Sequence, residues 1–243
     1  MLESFTKSVI SVKCRPNANY IKGCHDLLRQ LGPAEVRDAL LPALHKAMLR
    51  SPETIVQAVG EVFASLNVEL DGLAVDIGKS LIVNLHSKDE WVRGEALCAL
   101  ERLAARCSQV TAARALLTHA FAEYNGASGK LTSSEDKIAV LLGVSTLRAL
   151  PLVGADRMAL FNEVATQLSR VLDSESHERT LCVALDTLQR WSTGLDGAMP
   201  DKIQDIFKKN LSAKSTTQAV RTAYVSMVAA CVRSCGSTPA QAS

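Results

Sequence analysis

The sequence predicts an all-α fold in which pairs of amphipathic helices stack side by side into a solenoid. Three observations carry that prediction. Apolar residues recur at the three-and-four spacing of one helix face, most cleanly at Val92, Ala96, Ala99, Leu100 and Leu103. No segment sustains the alternation of a half-buried strand. Basic residues near the starts of successive second helices fall at Arg93, Lys137, Arg179 and Arg221, separated by 44, 42 and 42 residues. The register is loose by a residue, because Ala184-Leu185 aligns better with Ala99-Leu100 if Glu178 takes the place of Arg93.

The elements follow in order. Residues 2–12 form an amphipathic helix that starts almost at Met1 with no preceding cap or tail, which suits a piece of a longer protein and is also compatible with a native start. After the break at Pro16, residues 20–31 form a second helical stretch, closed by Gly32-Pro33. Residues 33–50 hold Leu40-Leu41-Pro42-Ala43-Leu44, where proline removes a donor and kinks the helix. Ser51-Pro52-Glu53 reads as N-cap, proline at the first position and an acid in the first turn. The helix that follows runs to about Leu66 on a stripe of Ile55, Val59, Val62, Phe63 and Leu66.

Residues 70–85 are the partner of the helix that begins at Asp89. Ser87 and Glu90 there have the spacing of a capping box. Ala96 and Ala99 let a neighbour approach closely, while Arg93, Glu95 and Arg102 stay on the wet side. A further pair spans 108–124 and about 134–147, across a glycine-containing loop at 125–130. Residues 155–172 pair with 175–191 across the polar turn Asp173-Ser174-Glu175-Ser176. Gly194, Gly197 and Pro200 mark the next boundary. Residues 201–211 then pair with about 217–234, and 236–243 reads as a frayed tail. The expected organisation is one solenoid over 1–235, with about five to six pairs, followed by that tail.

A repeat period of 40–47 residues with two helices per unit is the HEAT/armadillo signature. Each pair has an apolar face that it cannot bury alone, so the pairs stack into an α-α superhelix. An acidic turn, then Val92-Arg93, Ala96, Ala99-Leu100 and Leu103, resembles the second helix of a HEAT repeat. Val92, Arg93, Ala96, Leu100 and Leu103 are therefore read as structural repeat residues, with Arg93 bracing neighbouring repeats.

Composition narrows the function. The 47% hydrophobic and 21% charged fractions are those of a folded chain rather than a disordered one. Apolar runs are short and interrupted, so no transmembrane span is expected. The first residues lack a basic region followed by an apolar core. Seven cysteines at irregular spacing argue against a secreted disulfide framework, and Cys98, Cys182 and Cys231 read as small hydrophobes on apolar helix faces. A cytosolic address follows.

Gly126-Ala127-Ser128-Gly129-Lys130 is similar to a phosphate-binding loop, but Tyr124 stands where the first glycine belongs and Leu131 where the Ser/Thr belongs. There is no C-x-x-C and no H-E-x-x-H, and His25, His45, His86, His119 and His177 are scattered. No catalytic residue, metal or cofactor is expected, and no small-molecule substrate or membrane contact. Surface charge remains. Residues 1–30 carry five basic and two acidic residues (+3) and residues 201–243 six and two (+4), which leaves the centre at −5. Lys7, Lys13, Arg15 and Lys22 cluster at one end; Lys202, Lys208, Lys209, Lys214 and Arg221 cluster at the other. The plain reading is a solvated charged face. The functional reading is salt-dependent, sequence-blind contact with a phosphate backbone.

One longer run is more specific. Leu40-Leu41-Pro42-Ala43-Leu44-His45-Lys46-Ala47-Met48-Leu49-Arg50-Ser51-Pro52-Glu53 resembles the N-terminal part of the general control nonderepressible protein 1 family. Ala64-Ser65-Leu66, Gly129-Lys130-Leu131-Thr132 and Ala219-Val220-Arg221-Thr222-Ala223-Tyr224 follow in the same order. The family comprises very large HEAT-repeat sensors of ribosome collisions that activate the initiation factor 2 alpha kinase. The resemblance implies a non-enzymatic, cytosolic, ribosome-associated scaffold in the amino-acid starvation response. It also implies that the kinase is engaged through other regions of the full-length protein. The alternative reading is a general protein–protein adaptor solenoid without nucleic-acid contact. The matching motifs are packing motifs and transfer no binding residue.

Overall fold

The computed structural model describes residues 2–9, 18–70, 72, 74–129, 133–193, 204–205, 207–209 and 216–235. The described residues contain helices and no strand. The chain opens with α1 (Leu2–Val9), α2 (Ala18–Gly23), α3 (His25–Gln30) and α4 (Pro33–Glu35). A π turn (Val36–Leu40) leads into α5 (Leu41–Arg50), then α6 (Pro52–Ser65), α7 (Ala74–Asn84), α8 (Glu90–Ala104) and α9 (Val110–Tyr124). α10 (Ser134–Thr146) ends in a 3-10 turn (Leu147–Ala149), and α11 (Gly154–Ser174), α12 (Glu178–Ser192) and α13 (Gln218–Cys235) complete the order.

Two layers result. In one, α5 packs on α7, α7 on α9 and α9 on α11. In the other, α2 and α3 pack on α6, which is followed by α8, α10, α12 and α13. Each helix of the first layer also packs on its successor in the second, so the unit is a helix pair and the architecture is a HEAT-type solenoid. A single core of buried side chains runs between the layers from Phe5 to Met227. Phe5 on α1 stacks near Tyr20 on α2 with ring centroids 6.3 Å apart, which ties the first helices together.

Close approach between neighbours needs missing side chains at particular places. A Cβ on Gly60 of α6 would lie 3.3 Å from the Ala99 Cβ of α8, so the two smallest residues face each other where these helices touch. On Gly143 of α10 it would lie 2.6 Å from Leu85 Cδ1, at the C-terminal end of α7. Gly143→Val is therefore expected to cost about 1–3 kcal/mol by overpacking, while Gly143→Ala, displacing only the tip of Leu85, costs less. Urea denaturation of both variants checks the order.

Several local expectations are corrected. The cap of α8 is Asp89, whose carboxylate accepts the Trp91 N–H at 2.9 Å, rather than Ser87 paired with Glu90. Ser87 Oγ instead accepts the N–H of Asp89 at 3.2 Å, two residues too early to cap the helix. At α6 the expectation holds, with Ser51 as the N-cap residue, Pro52 opening the helix and Glu53 in its first turn, although Ser51 caps through its carbonyl, which takes the N–H groups of Thr54 and Ile55, and not through its side chain. The stretch 20–31 is two helices broken at Cys24. Pro42 has no N–H to offer the preceding turn, and the chain meets it with the π turn, in which Leu41 N–H reaches back to Val36. α12 starts at Glu178 because the Glu175 carboxylate takes the Ser176 and His177 N–H groups and holds the turn outside the helix. Cys98 is exposed, against expectation, while Cys182 is half-buried against the core as expected, and Cys107 is the buried thiol among those described. The Cys231 side chain and residues 236–243 lie outside the described residues.

Candidate functional site

The repeat residues of α8 divide by face. Val92, Ala96, Leu100 and Leu103 are buried in the core. Arg93 turns back to its own helix start and donates to the carbonyls of Ser87 at 2.8 Å and Lys88 at 3.3 Å. Burial opposes ionisation of Asp136 in the next pair, but hydrogen bonds from the Ser133 hydroxyl and N–H outweigh it and lower its pKa, with a smaller contribution from the Arg93 charge.

The equivalent positions in later pairs reach across to a neighbour. Lys137 Nζ lies 2.9 Å from Glu175 Oε2, and Arg179 Nη1 lies 2.9 Å from Glu135 Oε1. The first of these pairs is the more buried, with the Glu175 side chain only 10% exposed. Burial opposes ionisation of Glu175, but the Lys137 ammonium and the N–H groups of His177 and Ser176 outweigh it and hold its pKa at about 2. The Tyr124 hydroxyl also donates to Glu175 at 3.3 Å. Burial, and then the Glu175 charge, push that phenol well above its ordinary value.

A polar cluster that sequence spacing did not suggest lies beside this row. His86 Nε2 is 3.4 Å from Glu123 Oε2, and His86 Nδ1 is 3.8 Å from Asp136 Oδ1. His119 Nε2 is 4.0 Å from the other Glu123 oxygen. These four residues come from three elements, and only His119 and Glu123 share a helical spacing. That i,i+4 pair was the one signal available. Among the described residues no group of three or more His, Cys, Asp or Glu side chains is arranged to hold a metal ion.

The glycine loop does not form a phosphate cradle in its described part. Gly126 and Gly129 both adopt positive φ, but the N–H groups of Gly126, Ala127 and Gly129 are turned inward to the carbonyls of Glu123, Ala122 and Gly126. Lys130 and Leu131 lie outside the described residues.

The basic ends are partly described. At the C-terminal end Lys208 and Lys209 project from a short helical segment, both exposed. Lys209 Nζ is 2.7 Å from Asp173 Oδ1, and Lys208 Nζ is 3.9 Å from Asp205 Oδ1. Arg221 is half-buried in the first turn of α13. Lys202 and Lys214 lie outside the described residues. At the other end Lys7 pairs with Glu3 at 2.7 Å and Lys22 is exposed, while Lys13 and Arg15 lie outside the described residues. Exposed pairs of this kind contribute little to stability and exchange readily.

The family described as stalled ribosome sensor GCN1 N-terminal matches residues 1–131. The stalled ribosome sensor GCN1 of Mus musculus is 36% identical over 233 residues, and that of Homo sapiens 34% over the same length, each covering 96% of this chain. The protein ILITYHIA of Arabidopsis thaliana is 22% identical over 213 residues, or 88% of the chain. The chain spans only 9% of the length of the two GCN1 relatives and 8% of ILITYHIA. With a stack of helix pairs, matching residues from 1 to 131 and two relatives above 30% identity along nearly its whole length, the chain belongs to the stalled ribosome sensor GCN1 N-terminal family.

Proposed function

We propose that this chain is a non-catalytic helical-repeat scaffold in translational control that contacts stalled ribosomes in the cytosol. The observation that carries the reading is the similarity to stalled ribosome sensors along 96% of the chain. We take residues 1–235 as one solenoid segment of a longer protein, with 236–243 as its tail. Activation of the initiation factor 2 alpha kinase then belongs to regions outside this segment. No described helix is long and apolar enough to cross a membrane.

The contact runs through the basic ends. Lys208 and Lys209 are exposed and pair with the surface carboxylates Asp205 and Asp173, which a phosphate oxygen replaces at low cost. Replacing Lys202, Lys208, Lys209 and Lys214 by Glu is expected to reduce ribosome co-sedimentation about tenfold or more at low salt and to flatten its salt dependence. Binding that is unchanged across a salt series would overturn the ribosomal-RNA contact. Recovery that survives nuclease and high salt would favour a purely protein-binding adaptor.

A further inference from the structure

From a groove in the second helix layer, away from the basic ends, we infer that α8 and α10 form a docking site for a protein segment with an apolar anchor flanked by Lys or Arg. The groove encloses about 320 Å³. Leu97 of α8 and Ile138, Ala139 and Leu142 of α10 line its apolar part. Leu142 is among the few large hydrophobic side chains left exposed, at 37%.

Gly94 lies on the groove wall and is the observation that needs explaining. A glycine inside an exposed helix weakens it relative to alanine. Gly60, Gly78 and Gly143 have a reason to lack a side chain, since each faces an atom of a neighbouring helix. A Cβ on Gly94 would meet nothing within 4 Å. Packing therefore does not require glycine there. Its effect is to leave the groove open at the middle of α8.

The charges of the rim choose the occupant. Arg179 is committed to Glu135, and Arg93 to the carbonyls of Ser87 and Lys88. The Asp136 carboxylate accepts the N–H and hydroxyl of Ser133. Among the described residues Glu90 on the rim makes no ion pair, and neither does Glu101, one turn beyond Leu97 on the same exposed face. Counting Glu101, this face carries four carboxylates, with Glu90, Glu135 and Asp136, against the two cations Arg93 and Arg179, so the complementary ligand is cationic beside its apolar anchor. A nucleic acid would meet two uncompensated carboxylates.

Selection of short random peptides from a display library on the full chain tests the site, with affinities of the recovered peptides then measured by fluorescence anisotropy. The recovered sequences should share an apolar residue with Lys or Arg nearby. Gly94→Trp, which fills the groove without touching the core, and the pair Glu90→Lys with Glu101→Lys should each weaken binding about tenfold or more. Circular dichroism should show both folded like the parent. A site defined by acidic peptides would overturn the proposal, as would peptides without an apolar anchor or affinities indifferent to Gly94→Trp. So would an RNA oligonucleotide bound in a manner that Gly94→Trp abolishes.

Discussion

Replacing Trp191 by alanine is expected to destabilise the chain by about 3–5 kcal/mol, as for other large aromatic truncations in cores. Trp191 on α12 is fully buried. Its indole N–H donates to the Val144 carbonyl of α10 at 2.8 Å, and the Arg157 guanidinium sits over its ring at 4.6 Å from the centroid. Burial, and then Arg148, lower the pKa of Arg157, so the ring supports a cation that water cannot fully reach. One side chain thus joins α10, α11 and α12. Because each pair of a solenoid leans only on its neighbours, the loss should be regional. Hydrogen exchange should show protection falling first in α11, α12 and α13 while α6 and α8 hold. Trp191→Phe retains most of the ring, gives up the hydrogen bond and should recover more than half of the lost stability. Uniform loss of protection along the chain would contradict this account.

The second large effect is at Glu175. Removing its charge with Glu175→Gln is expected to cost about 2 kcal/mol, the scale of charge-assisted hydrogen bonds lost at a mostly buried site. Its folded pKa of about 2 lies below the reference value of 4.5. A depressed carboxyl pKa contributes stability that is fully present above 4.5 and is lost as pH falls from 4.5 toward 2. The parent chain should therefore lose stability over that window more steeply than Glu175→Gln does. Urea midpoints measured at a series of pH values compare the two slopes directly. A double-mutant cycle with Lys137→Met should return a coupling of about 1–2 kcal/mol, since the two side chains are in contact.

The helix pairs were readable because amphipathic spacing is a local property of the chain. The α8 stripe from Val92 to Leu103 buries as its spacing requires. The recurrence of Arg93, Lys137 and Arg179 marked the repeat, but spacing alone could not say what each basic group would hold. Arg93 holds carbonyls of its own turn, whereas Lys137 and Arg179 hold carboxylates from other helix pairs. Caps were less legible. Ser87 and Asp89 are both acceptable caps by residue type, and backbone geometry decides between them. The His86, Glu123 and Asp136 cluster was hidden for a different reason: its members are neighbours only after α7, α9 and α10 have stacked. Cys98 misled because a small apolar residue near an apolar stripe is compatible with either face of the helix boundary.

The two kinds of joint between helix pairs also have a mechanical consequence. Arg179 and Glu135 are both more than half exposed, so their link releases and reforms against water at little cost. Gly143 against Leu85 has no such slack, since close-packed atoms resist any shortening of the gap. Compression is therefore resisted at the glycine contact, torsion between α10 and α12 is resisted by the buried Lys137–Glu175 pair and the Trp191 bond to Val144, and the exposed Arg179–Glu135 link adds little to either.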